Sequence, residues 1–189
     1  MAKTKKRVRS NSTKSKIQRY ELNVSLLSGP LTEAFAKRNP RVLRTIEIRG
    51  DQTLEDLHNA IFDAFDRFEH HMYEFQIGGK RPHDPKARRY SLALMMQDDC
   101  SENAPAGDVA QTRIDALDLR KKSKFTYWFD FGDDWWHLVQ VVAIHDDIPR
   151  GRYPRITQRV GKSPPQYANL DDEEDDENGE EADDADETA

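Results

Sequence analysis

The chain has 189 residues, 36% hydrophobic and 34% charged, with a net charge of −6, which suits one domain carrying polar appendages. Its single cysteine, Cys100, excludes an intrachain disulfide and any one-chain zinc site built on thiolates. No apolar run approaches the roughly 20 residues of a membrane span, and the basic N-terminus lacks the apolar stretch of a signal peptide, so the expectation is a cytoplasmic protein with no membrane partner.

The charge is unevenly placed. Residues 1–19 hold eight Lys or Arg and no acid, residues 171–189 hold thirteen Asp or Glu and no base, and the middle of the chain is left near −1. Neither end has apolar side chains enough to offset the entropy of ordering it. The expected organisation is therefore a disordered basic tail at 1–16, a single α+β domain at 17–168 and a disordered acidic tail at 169–189.

A first strand is predicted over Ile17–Leu27, where Tyr20, Leu22, Val24 and Leu26 alternate with Glu21, Asn23 and Ser25. Ser28-Gly29-Pro30 ends it, and a short helical turn is expected over Leu31–Lys37. A second strand puts Val42, Ile46 and Ile48 on one face, with Thr45, Glu47 and Arg49 on the other. The clearest helix is Thr53–Arg67. Thr53 and Asp56 form a capping-box pattern at its start, and Leu54, Leu57, Ile61, Ala64, Phe65 and Phe68 recur at helical spacing. A third strand carries Tyr73, Phe75 and Ile77 and stops at Gly78-Gly79.

Residues 80–113 contain Pro82, Pro85, Pro105 and Gly107 and read as a long, partly ordered excursion, with a short element at Ile114–Leu119. The strongest β signal is Lys124–Ile144. Phe125, Tyr127, Phe129 and Phe131 alternate with Thr126, Trp128 and Asp130. Gly132-Asp133-Asp134 makes a turn, and Trp136, Leu138, Val142 and Ile144 are expected on one face of the return strand, with Gln140 interrupting. Ile148–Pro165 reads as irregular wrapping chain. The order predicts an α+β fold: a mostly antiparallel sheet, one main helix packed on it and a C-terminal hairpin, with a β-grasp-like first half.

Phe129-Asp130-Phe131-Gly132-Asp133-Asp134-Trp135-Trp136-His137 resembles the Y-D-F-G-D-G-W-x-H signature of the plasmid pRiA4b ORF-3-like family, also described as the passenger TnpR protein of an insertion element. Three further stretches are similar. They are Thr53-Leu54-Glu55-Asp56-Leu57-His58, the run His71–Ile77, and Tyr153-Pro154-Arg155 with Gly161-Lys162-Ser163-Pro164-Pro165. The resemblance spans about residues 20–167. Asp134 departs from the family's usual Gly, Ser163 from its Cys, and Gln166-Tyr167 from its Glu-Asp, so no role of that Cys or acidic pair carries over. The resemblance implies an association with mobile elements and no established biochemical activity.

The candidate cluster is Asp130, Asp133, His137, His71 and Trp135, with His58 as a further imidazole. Carboxylates and imidazoles can ligate a divalent metal or move protons. The commoner role of such residues is structural, with Asp130 bonding turn amides or pairing with His137 across the hairpin. The aromatic set Tyr127, Trp128, Phe129, Phe131, Trp135 and Trp136 divides between a core face and an outer face. The outer one, with Trp128, could stack nucleic-acid bases or meet a protein. Lys3, Lys5, Lys6, Arg7 and Arg9 are the residues for nucleic-acid phosphates. No P-loop, dinucleotide fingerprint, H-E-x-x-H or G-x-S-x-G is present. No catalytic residue and no cofactor is therefore assigned, and a divalent metal stays open. The leading reading is a non-enzymatic binding module whose partner is nucleic acid or protein. The alternatives are a metal-dependent hydrolase centred on Asp130, Asp133 and His137, and a protein-interaction adaptor using the outer aromatic face.

Overall fold

The structure, a computed structural model, describes residues 16–79, 81–96 and 104–167. Eight strands lie among them: β1 (Arg19–Ser28), β2 (Leu43–Arg49), β3 (Tyr73–Ile77), β4 (Arg88–Ser91), β5 (Gly107–Asp108), β6 (Lys124–Phe129), β7 (Trp135–His145) and β8 (Arg155–Val160). They form one mixed sheet in the order β5-β4-β3-β6-β7-β1-β2-β8, antiparallel except between β4 and β5. Two helices, α1 (Glu33–Arg38) and α2 (Leu54–Ala64), and 3-10 turns at Ala93–Met96 and Ile114–Leu117 complete the elements.

Helix α2 begins where the sequence places it. Thr53 accepts from the Asp56 amide while the Asp56 carboxylate accepts from the Thr53 amide, which satisfies two otherwise orphaned donors. Its apolar face, Leu54, Leu57, Ile61, Ala64 and the following Phe65, packs on one face of the sheet against Leu22, Val24, Ile46, Phe75, Phe125, Tyr127 and Val139. The helix has no basic residue in its last turn, so its C-terminal carbonyls draw cations from elsewhere. Arg44, buried on β2, donates Nε to the Ala64 carbonyl at 2.7 Å, and Arg159 on β8 donates to the carbonyls of Asp63 and Ala64.

Several expectations are corrected. The helix stops at Ala64, because Asp66 turns left-handed at φ 55°; Phe68 leaves the apolar face and stands 65% exposed. The core face of β7 is Trp135, His137, Val139 and Val141, the opposite parity to the set Trp136, Leu138, Val142 and Ile144. A register shift against β1, between Glu21 and Leu22, then brings Ile144 back against the core. The excursion at 80–113 contributes β4 and β5 and the buried Val109, and Ile148–Pro165 contains β8. The first-half strands form no β-grasp-like unit of their own, since β6 and β7 separate β3 from β1. The tail expectations lie outside the described residues, apart from Lys16. No helix among the described residues is long and apolar enough to cross a membrane.

Candidate functional site

The β6–β7 turn is built by two aspartates in the left-handed region, Asp130 at φ 54° and Asp134 at φ 58°, a conformation Asp tolerates better than most residues. Asp130 is nearly buried. Its amide donates to the Met72 carbonyl at 3.0 Å, and its Oδ1 accepts from the amides of Gly132 and Asp133 at 3.2 and 3.4 Å. Its Oδ2 lies 3.4 Å from His71 Nε2, so one carboxylate closes the turn and ties it to the chain entering β3. His71 Nε2 also lies 2.9 Å from the Tyr167 hydroxyl, which donates to Glu69. That bond to Glu69 is the chief reason the Tyr167 phenol is pushed up to about 12. With the Tyr167 proton committed to Glu69, His71 donates through Nε2–H.

This network borders a cleft of about 440 Å³ lined by His70, His71, Met72, Leu92, Asp130, Phe131 and Gly132. Its wall is largely apolar, and Met72 is 48% exposed. The exposed Phe68 packs edge-on to Tyr167 nearby, with ring centroids 5.9 Å apart.

His137 does not join Asp130. It sits opposite Tyr127 on the core face, edge-on to Phe65 at 4.7 Å, and neither ring nitrogen has a hydrogen-bond partner among the described residues. The Tyr127 backbone is near but gives no well-formed bond. Burial, reinforced by Arg67, pushes its pKa down to about 3, so the ring is neutral. Asp133 supplies its backbone amide to the turn. Asp130, Asp133 and His137 therefore do not converge, and no group of three or more His, Cys, Asp or Glu among the described residues is placed to hold a metal. The hydrolase alternative loses its ligand set on geometry. His58 is likewise a core histidine, stacked on Tyr73 at 3.6 Å, 2.7 Å from the Tyr127 hydroxyl, and pushed to about 3 by burial first and His70 second.

Trp135 is fully buried between two neighbours. Gly29 lies against one face, so close that a Cβ there would run into the indole, and the Arg67 guanidinium covers a face at 3.8 Å. Arg67 itself is buried, has no ion pair among the described residues and donates one long bond, 3.4 Å, to the Pro165 carbonyl. Desolvation pushes it down to about 10.

The outer aromatic face closes on itself. Trp128 stacks on Phe131 at 4.0 Å and on Trp136 at 5.0 Å, and His83 meets both indoles edge-on. Asp134 Oδ1 accepts from both indole N–H groups at 2.8 Å. Both faces of Trp128 are taken, so it is not an open platform for bases. Beside it a second cleft, about 360 Å³, has a floor of Glu74, Gln76 and Arg89. Glu74, fully buried, accepts from Gln76, Ser91 and Arg89.

Of the cluster Asp130, Asp133, His137, His71 and Trp135, the structure joins Asp130 to His71 and to the Asp133 amide, while Trp135 and His137 lie on the core face of β7; sequence reasoning missed Glu69, Arg67 and Tyr167 beside them. The only sequence signal for Arg67 is its place just after an apolar helix face. Tyr167 gives none, being set by the return of the C-terminal segment across the helix exit. Lys3, Lys5, Lys6, Arg7 and Arg9 lie outside the described residues.

A family model described as plasmid pRiA4b ORF-3-like protein matches residues 31–178. Among curated proteins none matches. A solved structure of a protein of unknown function, MM3350 from Methanosarcina mazei Go1, is similar in fold, with 20% identity, 79% of this chain and 73% of that chain covered, and a TM-score of 0.59.

Proposed function

We propose, from the premise that the chain belongs to the plasmid pRiA4b ORF-3-like family, that it is a non-enzymatic binding module that takes a protein segment in the cleft beside the Asp130 turn. The observation that carries this is an open apolar wall, Met72, Leu92 and Phe131, with Asp130 and His71 in the same lining and the Glu69 carboxylate 3.8 Å from His71 Nε2. Exposed apolar side chains grouped in a cleft favour a contact surface, and carboxylates at its edge favour a basic group on the partner over a phosphate. The segment recognised is then an apolar side chain flanked by Lys or Arg. His71 fits a positioning role better than a general-base role, because its Nε2 is already directed at Tyr167 and Asp130. Nucleic acid, and the mobile-element association the family resemblance implies, would be served by the basic residues at 3–9, on the warrant of charge alone.

The test is selection of a randomised peptide library on the purified chain. Enriched peptides should pair an apolar residue with Arg or Lys, and Met72→Asp should weaken them at least tenfold, about 1.4 kcal/mol. Enriched peptides indifferent to both Met72→Asp and Phe131→Ala would overturn the assignment, as would an oligonucleotide that shifts the backbone amides of Met72 and Gly132.

A further inference from the structure

Five buried side-chain nitrogens lack a partner among the described residues: Arg67 Nε and Nη2, Trp135 Nε1, and both ring nitrogens of His137. They belong to three adjoining side chains. Arg67 lies over the Trp135 ring, Trp135 and His137 are two apart on the core face of β7, and Arg67 is the charge His137 feels. All three are more than nine-tenths buried, at 7%, 0% and 1% exposure. With the imidazole neutral, four of the five atoms are N–H donors and one is an acceptor. The set also carries a full positive charge with no carboxylate of the described residues in contact. A buried donor without an acceptor is destabilising, and a buried charge without a counter-charge more so. Buried polar groups in native proteins are overwhelmingly satisfied.

From this excess of donors and the unpaired guanidinium, we propose that Arg67, Trp135 and His137 form a buried site for a small oxyanion or carboxylate group. The group accepts from Arg67 Nε–H and Nη2–H, from the Trp135 indole N–H, and from the one N–H of His137. Other buried cations of this chain have what Arg67 lacks. Arg44 donates to three carbonyls and to Ser163, and Arg19 is paired with Glu47. The same carboxylate chemistry has two sources, a free anion or one of the thirteen acidic side chains at 171–189, which follow soon after Pro165 in sequence. None of the three residues lines the cleft, and the proposal is independent of the peptide-binding one.

Three tryptophans give three indole N–H resonances, and two of them are internal controls, because Trp128 and Trp136 already donate to Asp134. The experiment is a titration of the full-length 15N-labelled chain with formate, and separately with inorganic phosphate, at constant ionic strength. A second full-length protein has all the acidic residues of 171–189 replaced by Asn or Gln. A saturable downfield shift confined to the Trp135 indole, lost in Arg67→Met, is expected. If that shift appears on adding anion to the native chain, the occupant is a free anion. If the native resonance is already downfield and does not move, while the neutralised chain starts upfield and titrates, the occupant is the chain's own carboxylate. A Trp135 resonance that neither anion nor neutralisation moves, or that moves only in step with Trp128 and Trp136, overturns the proposal. The titrations of the native and neutralised chains together decide even if Arg67→Met does not fold.

Discussion

Asp134 tests how the turn and the outer aromatic stack are held. It stands left-handed at φ 58°, where glycine would be unstrained, and its one oxygen accepts from Trp128 and Trp136 at 2.8 Å each. Two effects oppose each other. Each bond to a carboxylate contributes about 1 kcal/mol at this exposed position, below the range for buried charged acceptors, so about 2 kcal/mol together. A Cβ in the left-handed region costs about 1 kcal/mol, somewhat less for Asp. Asp134→Gly removes both and should be about 1 kcal/mol less stable than the native chain. Asp134→Ala removes the bonds but keeps the strain, and should fall by about 2–3 kcal/mol. Asp134→Asn keeps a neutral acceptor and should lie closest to native. Urea unfolding followed by tryptophan fluorescence measures all three, and for a domain of this size the steps correspond to about 2–4 °C per kcal/mol. A glycine variant as stable as the native chain or more so would refute the reasoning, for the indole bonds would then be worth less than the strain that accompanies them.

His137 and His58 should make stability fall in acid. Both are held near 3 when folded, below the ordinary 6.5, so the folded state binds fewer protons. Their contribution is complete above about pH 6.5 and is lost as pH falls from there towards 3, at up to about 1.4 kcal/mol per pH unit for each ring. Urea melts between pH 7.5 and 5 should show His137→Gln removing a measurable part of that slope, and an unchanged slope would place the proton elsewhere. Nucleic-acid binding, where it occurs, should be weak, non-specific and dependent on residues 3–19, Lys3, Lys5, Lys6, Arg7 and Arg9 foremost. Engagement of about four to six basic groups gives a log–log salt slope near −4 to −5, and neutralising residues 171–189 should raise affinity. Anisotropy titrations in which replacing all five residues by Ala leaves affinity unchanged would end this reading.

The hairpin, α2 with its capping box and the turn were legible because each rests on local pattern. Phe125, Tyr127 and Phe129 alternate on the core face as expected, although Phe131, expected with them, crosses beyond the left-handed Asp130 to stack on Trp128, and Thr53 and Asp56 satisfy each other within one helical turn. The parity of β7 was not legible. Trp135 and Trp136 are adjacent and both buried, one on each face, so neither marks the core. The next residues then mislead, because the polar His137 is on the core face and the apolar Leu138 is not. β4 and β8 are short or polar strands that exist because β3 and β2 offer unpaired edges, and β5 then adds to β4, which is a non-local cause. The Asp130–His71 contact joins residues 59 positions apart and depends on the Met72 carbonyl capturing the Asp130 amide.

The helix exit accounts for why this corner combines a buried cation with exposed apolar side chains. Had α2 continued to Arg67, helical spacing would have placed Phe68 on the apolar face beside Ala64 and Phe65. The left-handed Asp66 breaks that continuation and is held in place by Arg159 and Ser163. The next two side chains then exchange environments, with Arg67 buried on Trp135 and Phe68 exposed beside Tyr167. Local propensity and burial disagree at both positions, and such disagreement concentrates where a structure serves something other than its own stability. Shifting the turn is thus a sharper probe of function than deleting any one side chain. Asp66→Ala, which disfavours the left-handed turn and removes its partners, should impair the peptide cleft and the Arg67 site together. Met72→Asp should impair only the cleft, and Arg67→Met only the buried site. Measured in the same preparations by peptide affinity and by the Trp135 indole resonance, a Met72→Asp variant that also lost the indole response would show that the two sites are one.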